Sequence, residues 1–407
     1  ISILDSQKIK PNRLAVKLTA AGERNVKAGH PWIFTNSIQK INNNAFSGDI
    51  AIIFGRAKNK VIGVGLYDSK SPICIKMIHH GGGVTIDSNF FFNKINEAYA
   101  VRTPLLKTMT NSYRLLFGEN DGFPGLIADI YHEVMVIKLY SSIWFPFLKI
   151  ITEHLIQVSK TTTVVLRLSR SLQQMKNNDH FEDGQVIYGT LIDANIPFIE
   201  HGVHFSANVI KGHKTGYFLD HRENRRQVGL LSKNKTVLDV FSYAGGFSVH
   251  ALANQAKEVT SIDVSKQALT LAVENGRLNR YSGNHKTLAG DAFKILKNLI
   301  SKEKTYDVVI IDPPSFAKNK NEIEIAKKKY KQLALLGATL TSRNGLLVLA
   351  SCSSRVLASE FLAINKEVLD RFPRNYLLVN TTQHDIDHPI NFREGAYLKT
   401  GYYRFSD

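Results

Sequence analysis

The chain has 407 residues, 43% hydrophobic and 21% charged, a globular composition and a length too great for one ordinary core. Lys and Arg number 52 against 35 Asp and Glu, a formal net charge of +17; such a field attracts polyanions, nucleic acid first, and the bland alternative is a plain basic surface. No run approaches the ~18 uninterrupted apolar residues of a membrane span, "ISILDSQKIKPNR" lacks the apolar stretch and cleavage site of a leader, and two cysteines, Cys74 and Cys352, are too few for a disulfide framework and suit a reducing cytoplasm.

In chain order the sequence reads as three parts. Residues 1–78 hold short apolar runs, "DIAIIFG", "VIGVGLY" and "ICIKMI", split by Gly, Asn and Asp. That texture predicts a small β-barrel. Residues 79–190 mix patterns and predict an α+β domain. "NFFFNKINEAYAVRTPLL" and "FPFLKIITEHLIQVSK" read as helices, "LIADIYHEVMVIKLY" as a hairpin and "TTVVLRL" as a strand. Residues 191–407 alternate apolar strands with helices, which predicts an α/β domain with a doubly wound parallel sheet. In that architecture ligands bind beyond the carboxyl ends of the strands. The polar strand tips there are Asp239, Asp263, Asp291, Asp312 and Cys352.

These tips outline a nucleoside site. In "DVFSYAGGFS", Gly245 and Gly246 let backbone approach a ligand at a helix N-terminus. Phe241 and Tyr243 share that loop. Asp263 is positioned to accept from ribose hydroxyls, and Asp291 from an adenine amino group. Each acid taken singly is equally well read as a helix N-cap. The dinucleotide pattern G-x-G-x-x-G is absent, and Asp239 suits an ammonium better than a pyrophosphate. S-adenosylmethionine is therefore the favoured cofactor over NAD.

The glycine loop, ribose acid, adenine acid and "DPPSF" in this order resemble a class I S-adenosylmethionine-dependent methyltransferase, whose sheet is Rossmann-like. "GYFLDHRENRR" upstream, with "DPPSFAKNK" and "SCSS", is similar to the bacterial large-subunit (23S) ribosomal RNA cytosine-5 methyltransferases. "GHPWIFTNSI" and "LYDSKSPICIKMI" resemble that family's N-terminal PUA-type RNA-binding barrel, and "GENDGFPGLIADIY" its middle domain. The resemblance implies that residues 216–226 help close the cofactor pocket, with Phe218, Asp220 and Arg222 as candidates; Asp220 and Arg222 read equally well as a surface pair. It also implies ribosomal RNA as partner and a cytoplasmic location. A homodimer is left open, since no motif fixes the oligomeric state.

Cytosine C5 is a poor nucleophile until a thiolate adds at C6, so the chemistry needs a cysteine beside the base pocket. Cys352 in "LLVLASCSSR" is the candidate, with Arg355 near enough in sequence to lower its pKa; an inert small residue is the alternative. Asp312 is expected to meet the base edge, protonated or sharing a proton if it meets N3. Pro313 and Pro314 stiffen that tip and leave carbonyls for a base amino group. Better-known RNA cytosine-5 enzymes have a second cysteine where this chain has Ser315. Phe316 is read as a stacking face or core residue, and Lys327, Lys328 and Lys329 as phosphate contacts or a solvated helix face. His384 and His388 have metal-like spacing, but the surrounding Asp and Pro favour a loop, so no metal is expected. Two other readings remain: a nucleobase N-methyltransferase, which needs no cysteine, and a non-catalytic ribosome-assembly RNA-binding protein.

Overall fold

The computed structural model describes Leu4 and residues 10–42, 44–57, 59–175 and 181–406. The expectations for residues 1–3 and 5–9, no leader and the start of the first domain, lie outside the described residues. Contacts gather the chain into two units. One comprises Ile1–Ile199, Ser206–Leu219 and Ile386–Gly395; the other comprises Glu200–Phe205, Asp220–Asp385 and Ala396–Asp407.

The first unit holds two sheets. Six strands in the order Trp32–Ile33, Ile75–His80, Val61–Tyr67, Ile50–Phe54, Arg13–Leu18, Ile38–Ile41 form one. Leu14, Val16, Ala51, Ile53, Ile75 and Met77 face its core. The glycines of "VIGVGLY" are there for space: a Cβ on Gly63 would stand 2.5 Å from Met77 Cε, and one on Gly65 2.6 Å from Ile75 Cγ2. The second sheet has five strands, Gln185–Tyr188, Thr163–Leu168, Val134–Leu139, Leu126–Tyr131 and Ser112–Phe117. The expected hairpin is present, Tyr131 pairing Val134 across a turn at left-handed His132 (φ 55°). Helices Ser88–Arg102 and Leu148–Ser159 bury Phe91, Ile95 and Leu148 in the same core.

The alternation starts later than residue 191. Asn195–Glu200 and Val203–Asn208 first form a hairpin, of which only Glu200–Phe205 belongs to the second unit. Then follow α1 (Arg222–Leu231), β1 (Thr236–Val240), α2 (Gly246–Ala253), β2 (Glu258–Asp263), α3 (Lys266–Arg277), β3 (Asn284–Ala289) and α4 (Ala292–Ser301). The chain continues through β4 (Tyr306–Ile311), α5 (Ile323–Leu340), β5 (Thr341–Ser351), α6 (Ala358–Asp370), β6 (Tyr376–Thr382) and β7 (Lys399–Phe405). The sheet order is β3-β2-β1-β4-β5-β7-β6. Strands β1 to β5 run parallel, and β7 is antiparallel to both β5 and β6. The sheet is thus doubly wound as expected, but mixed rather than wholly parallel. Strands β1 and β4 are β-branched runs buried by covered faces, as central parallel strands require. Chain order reverses between them, and that switch point opens a crevice at the strands' carboxyl ends. No described helix is long and apolar enough to cross a membrane.

Candidate active site

The crevice is built on a loop that only unusual backbone can make. After β1 the chain takes left-handed geometry at Phe241 (φ 66°), Tyr243 (φ 48°) and Gly245 (φ 78°), then enters α2 at Gly246. Glycine is required at 245, because a Cβ there would lie 2.7 Å from Ala272 Cβ on α3. Asp263, at the end of β2, fixes the loop: Tyr243 N donates to Oδ2 at 2.9 Å and Ser265 N to Oδ1 at 2.9 Å. Asp239 is fully buried, and its Oδ2 accepts from Ser248 N (3.0 Å) and Ser248 Oγ (2.6 Å). Its Oδ1 is buried without a hydrogen-bond partner. Burial pushes the Asp239 carboxyl up to about 7 against the Ser248 hydrogen bonds, with Asp312 and Asp263 adding to the rise. An uncompensated buried carboxylate of this kind calls for a cation.

Asp291 is exposed and caps α4, accepting from Lys294 N at 2.9 Å. The alternatives weighed for the "FLDHRENRR" segment resolve differently from a surface pair. Arg222 is buried, its Nη1 2.9 Å from Asp385 Oδ2, and Asp220 accepts from Tyr397 Oη at 2.8 Å. Phe218 is 37% exposed and belongs to the first unit.

Around the tip of β4 the side chains converge. Asp312 N bonds Val240 O at 3.3 Å, pinning the tip across the switch point. Cys352, just past β5, is half-buried, and its Sγ donates to Pro313 O at 3.8 Å. That carbonyl accepts from the thiol. Tyr330 Oη lies 2.9 Å from Ser351 Oγ, and its ring packs 5.4 Å from Phe316. Phe316 is half-buried on the core, with Lys329 Nζ 4.7 Å from the ring centroid, so packing accounts for it without a base. On α5, Lys327 is committed to Glu324 and Glu360, each at 3.2 Å, while Lys328 and Lys329 are exposed. His384 and His388 lie in loop: His384 Nε2 accepts from Leu398 N, and His388 Nδ1 is 2.8 Å from Asp387 Oδ1. No metal-holding group of three or more His, Cys, Asp or Glu occurs among the described residues.

Two residues went unread in the sequence. His221 is buried at the start of α1, with Nε2 3.2 Å from Asp312 Oδ1. Burial would lower its pKa, but the Asp312 carboxylate outweighs that, and the net shift is upward. Lys399 on β7 pairs with Ser351 in the strand register. It is buried, and Nζ donates to the carbonyls of Ser353 and Tyr397. Burial lowers its pKa to about 8, opposed by the electrostatic influence of Cys352 and Glu360. Arg355, the expected neighbour of the thiol, is exposed instead. "LDHR" was a visible signal for His221. Nothing local marks Lys399, because strand pairing alone brings it to Cys352.

A family model for S-adenosylmethionine-dependent methyltransferases matches residues 114–371, and one for PUA-like domains matches residues 16–80. The ribosomal RNA large subunit methyltransferase of Deinococcus radiodurans is 39% identical over 393 residues, covering 95% of this chain and 96% of the relative. Ribosomal RNA large subunit methyltransferase I of Aliivibrio fischeri is 30% identical over 390 residues, 95% of this chain and 98% of the relative. A solved structure from Streptococcus mutans superposes with TM-score 0.80 at 22% identity, over 96% of this chain and 99% of that one. Another solved chain, complexed with SAH, gives TM-score 0.80 at 22% identity over 97% and 100%. These two show the fold.

Switch-point crevice, glycine loop and family match together define a Rossmann-like S-adenosylmethionine-dependent methyltransferase with an N-terminal PUA-like domain. Its cofactor is S-adenosylmethionine, and the residues fit it: the unpartnered, buried Asp239 oxygen complements an ammonium. The chain belongs to the ribosomal RNA large subunit methyltransferase I family.

Proposed function

We propose that the protein forms 5-methylcytosine in large-subunit ribosomal RNA in the cytoplasm, through a transient bond between Cys352 and the cytosine C6. The observation that carries this reading is the meeting of Cys352 Sγ with the Pro313 carbonyl at 3.8 Å, beside Asp312 and with buried Lys399 close by. A thiol is the one group a cytosine-5 transfer needs and an N-methyl transfer does not. The relatives' names, the +17 charge and the PUA-like domain support RNA as substrate.

S-adenosylmethionine, when bound, supplies the electrophilic methyl group. Asp239 would hold its ammonium, the Phe241–Gly246 loop its methionine portion, Asp263 its ribose and Asp291 its adenine amino group. Asp220, bonded to Tyr397, and Arg222, bonded to Asp385, would help hold the cofactor from the second unit's side. Lys399 favours the thiolate of Cys352 electrostatically. The thiolate adds to C6, and the electron pair moves toward N3 and O2 while Asp312 holds the base edge. C5 then attacks the methyl carbon, loses its proton to a base and expels Sγ. Pro313 and Pro314 keep the tip rigid; Lys328 and Lys329 hold phosphates. Residues 1–78, 79–190 and 191–407 serve as RNA-binding, middle and catalytic segments.

The test is product analysis. Large-subunit RNA is incubated with the protein and S-adenosylmethionine, digested to nucleosides and resolved by mass spectrometry. A new 5-methylcytidine, absent with Cys352→Ala, is expected. A methylated amine or ring nitrogen, or transfer surviving Cys352→Ala, would overturn the reading. Binding without transfer would leave the non-catalytic alternative.

A further inference from the structure

His221 does not belong to any role assigned above, yet its buried side chain brings Nε2 within 3.2 Å of the Asp312 carboxylate. Its other nitrogen, Nδ1, lies 3.1 Å from Asn224 Nδ2. Asn224 is itself fully engaged. Its Oδ1 accepts from Thr382 Oγ1 (2.5 Å) and Tyr402 Oη (2.7 Å), and its Nδ2 also donates to Thr400 Oγ1 (3.2 Å). In this arrangement Nδ1 accepts, so the imidazole is neutral and Nε2 carries the proton facing Asp312.

The same groups have a second complete arrangement. With the Asn224 amide turned over, Oδ1 accepts from a protonated Nδ1 and from the Thr400 hydroxyl, and Nδ2 donates to the oxygens of Thr382 and Tyr402. Hydroxyls both donate and accept, so Nδ1 and the Asn224 amide keep partners when the amide turns, while Nε2, buried without a hydrogen-bond partner, stands 3.2 Å from Asp312 Oδ1. The amide can therefore face either form of Nδ1, and with Nδ1 protonated the Nε2 proton is the one free to move toward Asp312. Elsewhere around the ring stand Asp220, which favours the charged form, Arg225, which opposes it, and Phe247 with its ring centroid at 5.5 Å. Arg225 is bound to Glu200 at 2.7 Å.

We propose that His221 is the proton partner of Asp312, delivering a proton through that carboxyl to the cytosine N3 when the C6 adduct forms and recovering it when the adduct breaks. This rests on the cytosine-5 reading. As Cys352 Sγ bonds to C6, the C5–C6 electron pair shifts and N3 becomes basic. The imidazolium, with Nδ1 held by the turned Asn224 amide, passes its Nε2 proton to Asp312 as Asp312 passes one to N3, which leaves a neutral imidazole protonated at Nδ1. When C5 has been methylated and has lost its proton, the Sγ–C6 bond breaks, N3 releases its proton to Asp312 and Asp312 returns one to His221. The active form is the pair carrying the extra proton. On the alkaline side, activity falls as pH rises through the His221 pKa, which lies above its ordinary 6.5.

The experiment is the pH profile of single-turnover methyl transfer for wild type, His221→Gln and Asn224→Asp. His221→Gln keeps a donor to Asp312 but carries no transferable proton. Its rate is expected to fall about 100-fold, the scale of general acid catalysis, with the alkaline limb abolished. Asn224→Asp only accepts from Nδ1, holds the imidazolium and should move that limb to higher pH. A limb unmoved in Asn224→Asp, or retained with full rate in His221→Gln, would overturn the proposal. Covalent trapping of wild type with RNA containing 5-fluorocytidine is run alongside. A trap with unmoved limbs means that this inference has failed; no trap means that the cytosine-5 reading has failed.

Discussion

Burial holds the Asp239 carboxyl at about 7 rather than its ordinary 3.8, so the ligand-free fold binds a proton that the unfolded chain releases. For a group whose folded pKa is raised, the favourable contribution is full below the unfolded pKa and is lost as pH rises through the folded one. The penalty by pH 8 is about 4 kcal/mol. Asp239→Asn should therefore raise the melting temperature of the ligand-free protein at pH 8, with the gain vanishing near pH 4, and should weaken S-adenosylmethionine binding. Calorimetry checks both; equal melting temperatures at pH 8 would contradict the account. Cys352 and Cys74 offer a second residue-scale contrast. Cys74 is buried and its thiol is pushed up by desolvation. Alkylation by iodoacetamide near neutral pH should thus report Cys352. Lys399→Met should slow it about tenfold if the ammonium favours the thiolate, and Lys399→Arg should restore part of the rate. An unchanged rate would remove Lys399 from that role.

At the scale of elements, the join between β1 and α2 tolerates little change. Gly245→Ala adds a left-handed penalty of about 1–2 kcal/mol to a 2.7 Å clash with α3. The expected result is a melting temperature lower by several degrees and loss of cofactor affinity. Helix α5 is divided along its length. Lys327 is already shared between two glutamates, so Lys327→Ala should barely alter RNA affinity, whereas Lys328→Ala with Lys329→Ala should weaken it and flatten its salt dependence by about 2 in log–log slope. What was legible in the sequence follows the same division. β-Branched runs ending in a carboxylate or thiol are local patterns, so β1, β2, β4 and β5 and their tips were visible. The Gly245 turn was visible because glycine marks it. The burial of Arg222 was not, since its partner Asp385 lies far along the chain. Lys399 was invisible for the same reason: only the antiparallel pairing of β7 with β5 brings it opposite Ser351. The delayed start of the alternation was hidden because the Asn195–Asn208 hairpin has the same apolar texture as a buried strand.

Over the whole molecule, a net charge of +17 makes RNA affinity an ionic-strength quantity. Raising salt from 50 to 200 mM should cost on the order of 10³-fold in affinity if six or more phosphates are held, while S-adenosylmethionine binding, set by the crevice, should change little. The central claim is that one sulfur, beside the Asp312 tip, becomes bonded to the base. The most direct measurement uses large-subunit RNA bearing 5-fluorocytidine with the protein and S-adenosylmethionine, followed by denaturation, digestion and peptide mapping. Fluorine at C5 cannot leave as the proton does, so the adduct should persist. A denaturation-resistant complex whose cross-linked peptide maps to Cys352, absent with Cys352→Ser, is the predicted result; normal product with no adduct, or an adduct at Cys74, would contradict it.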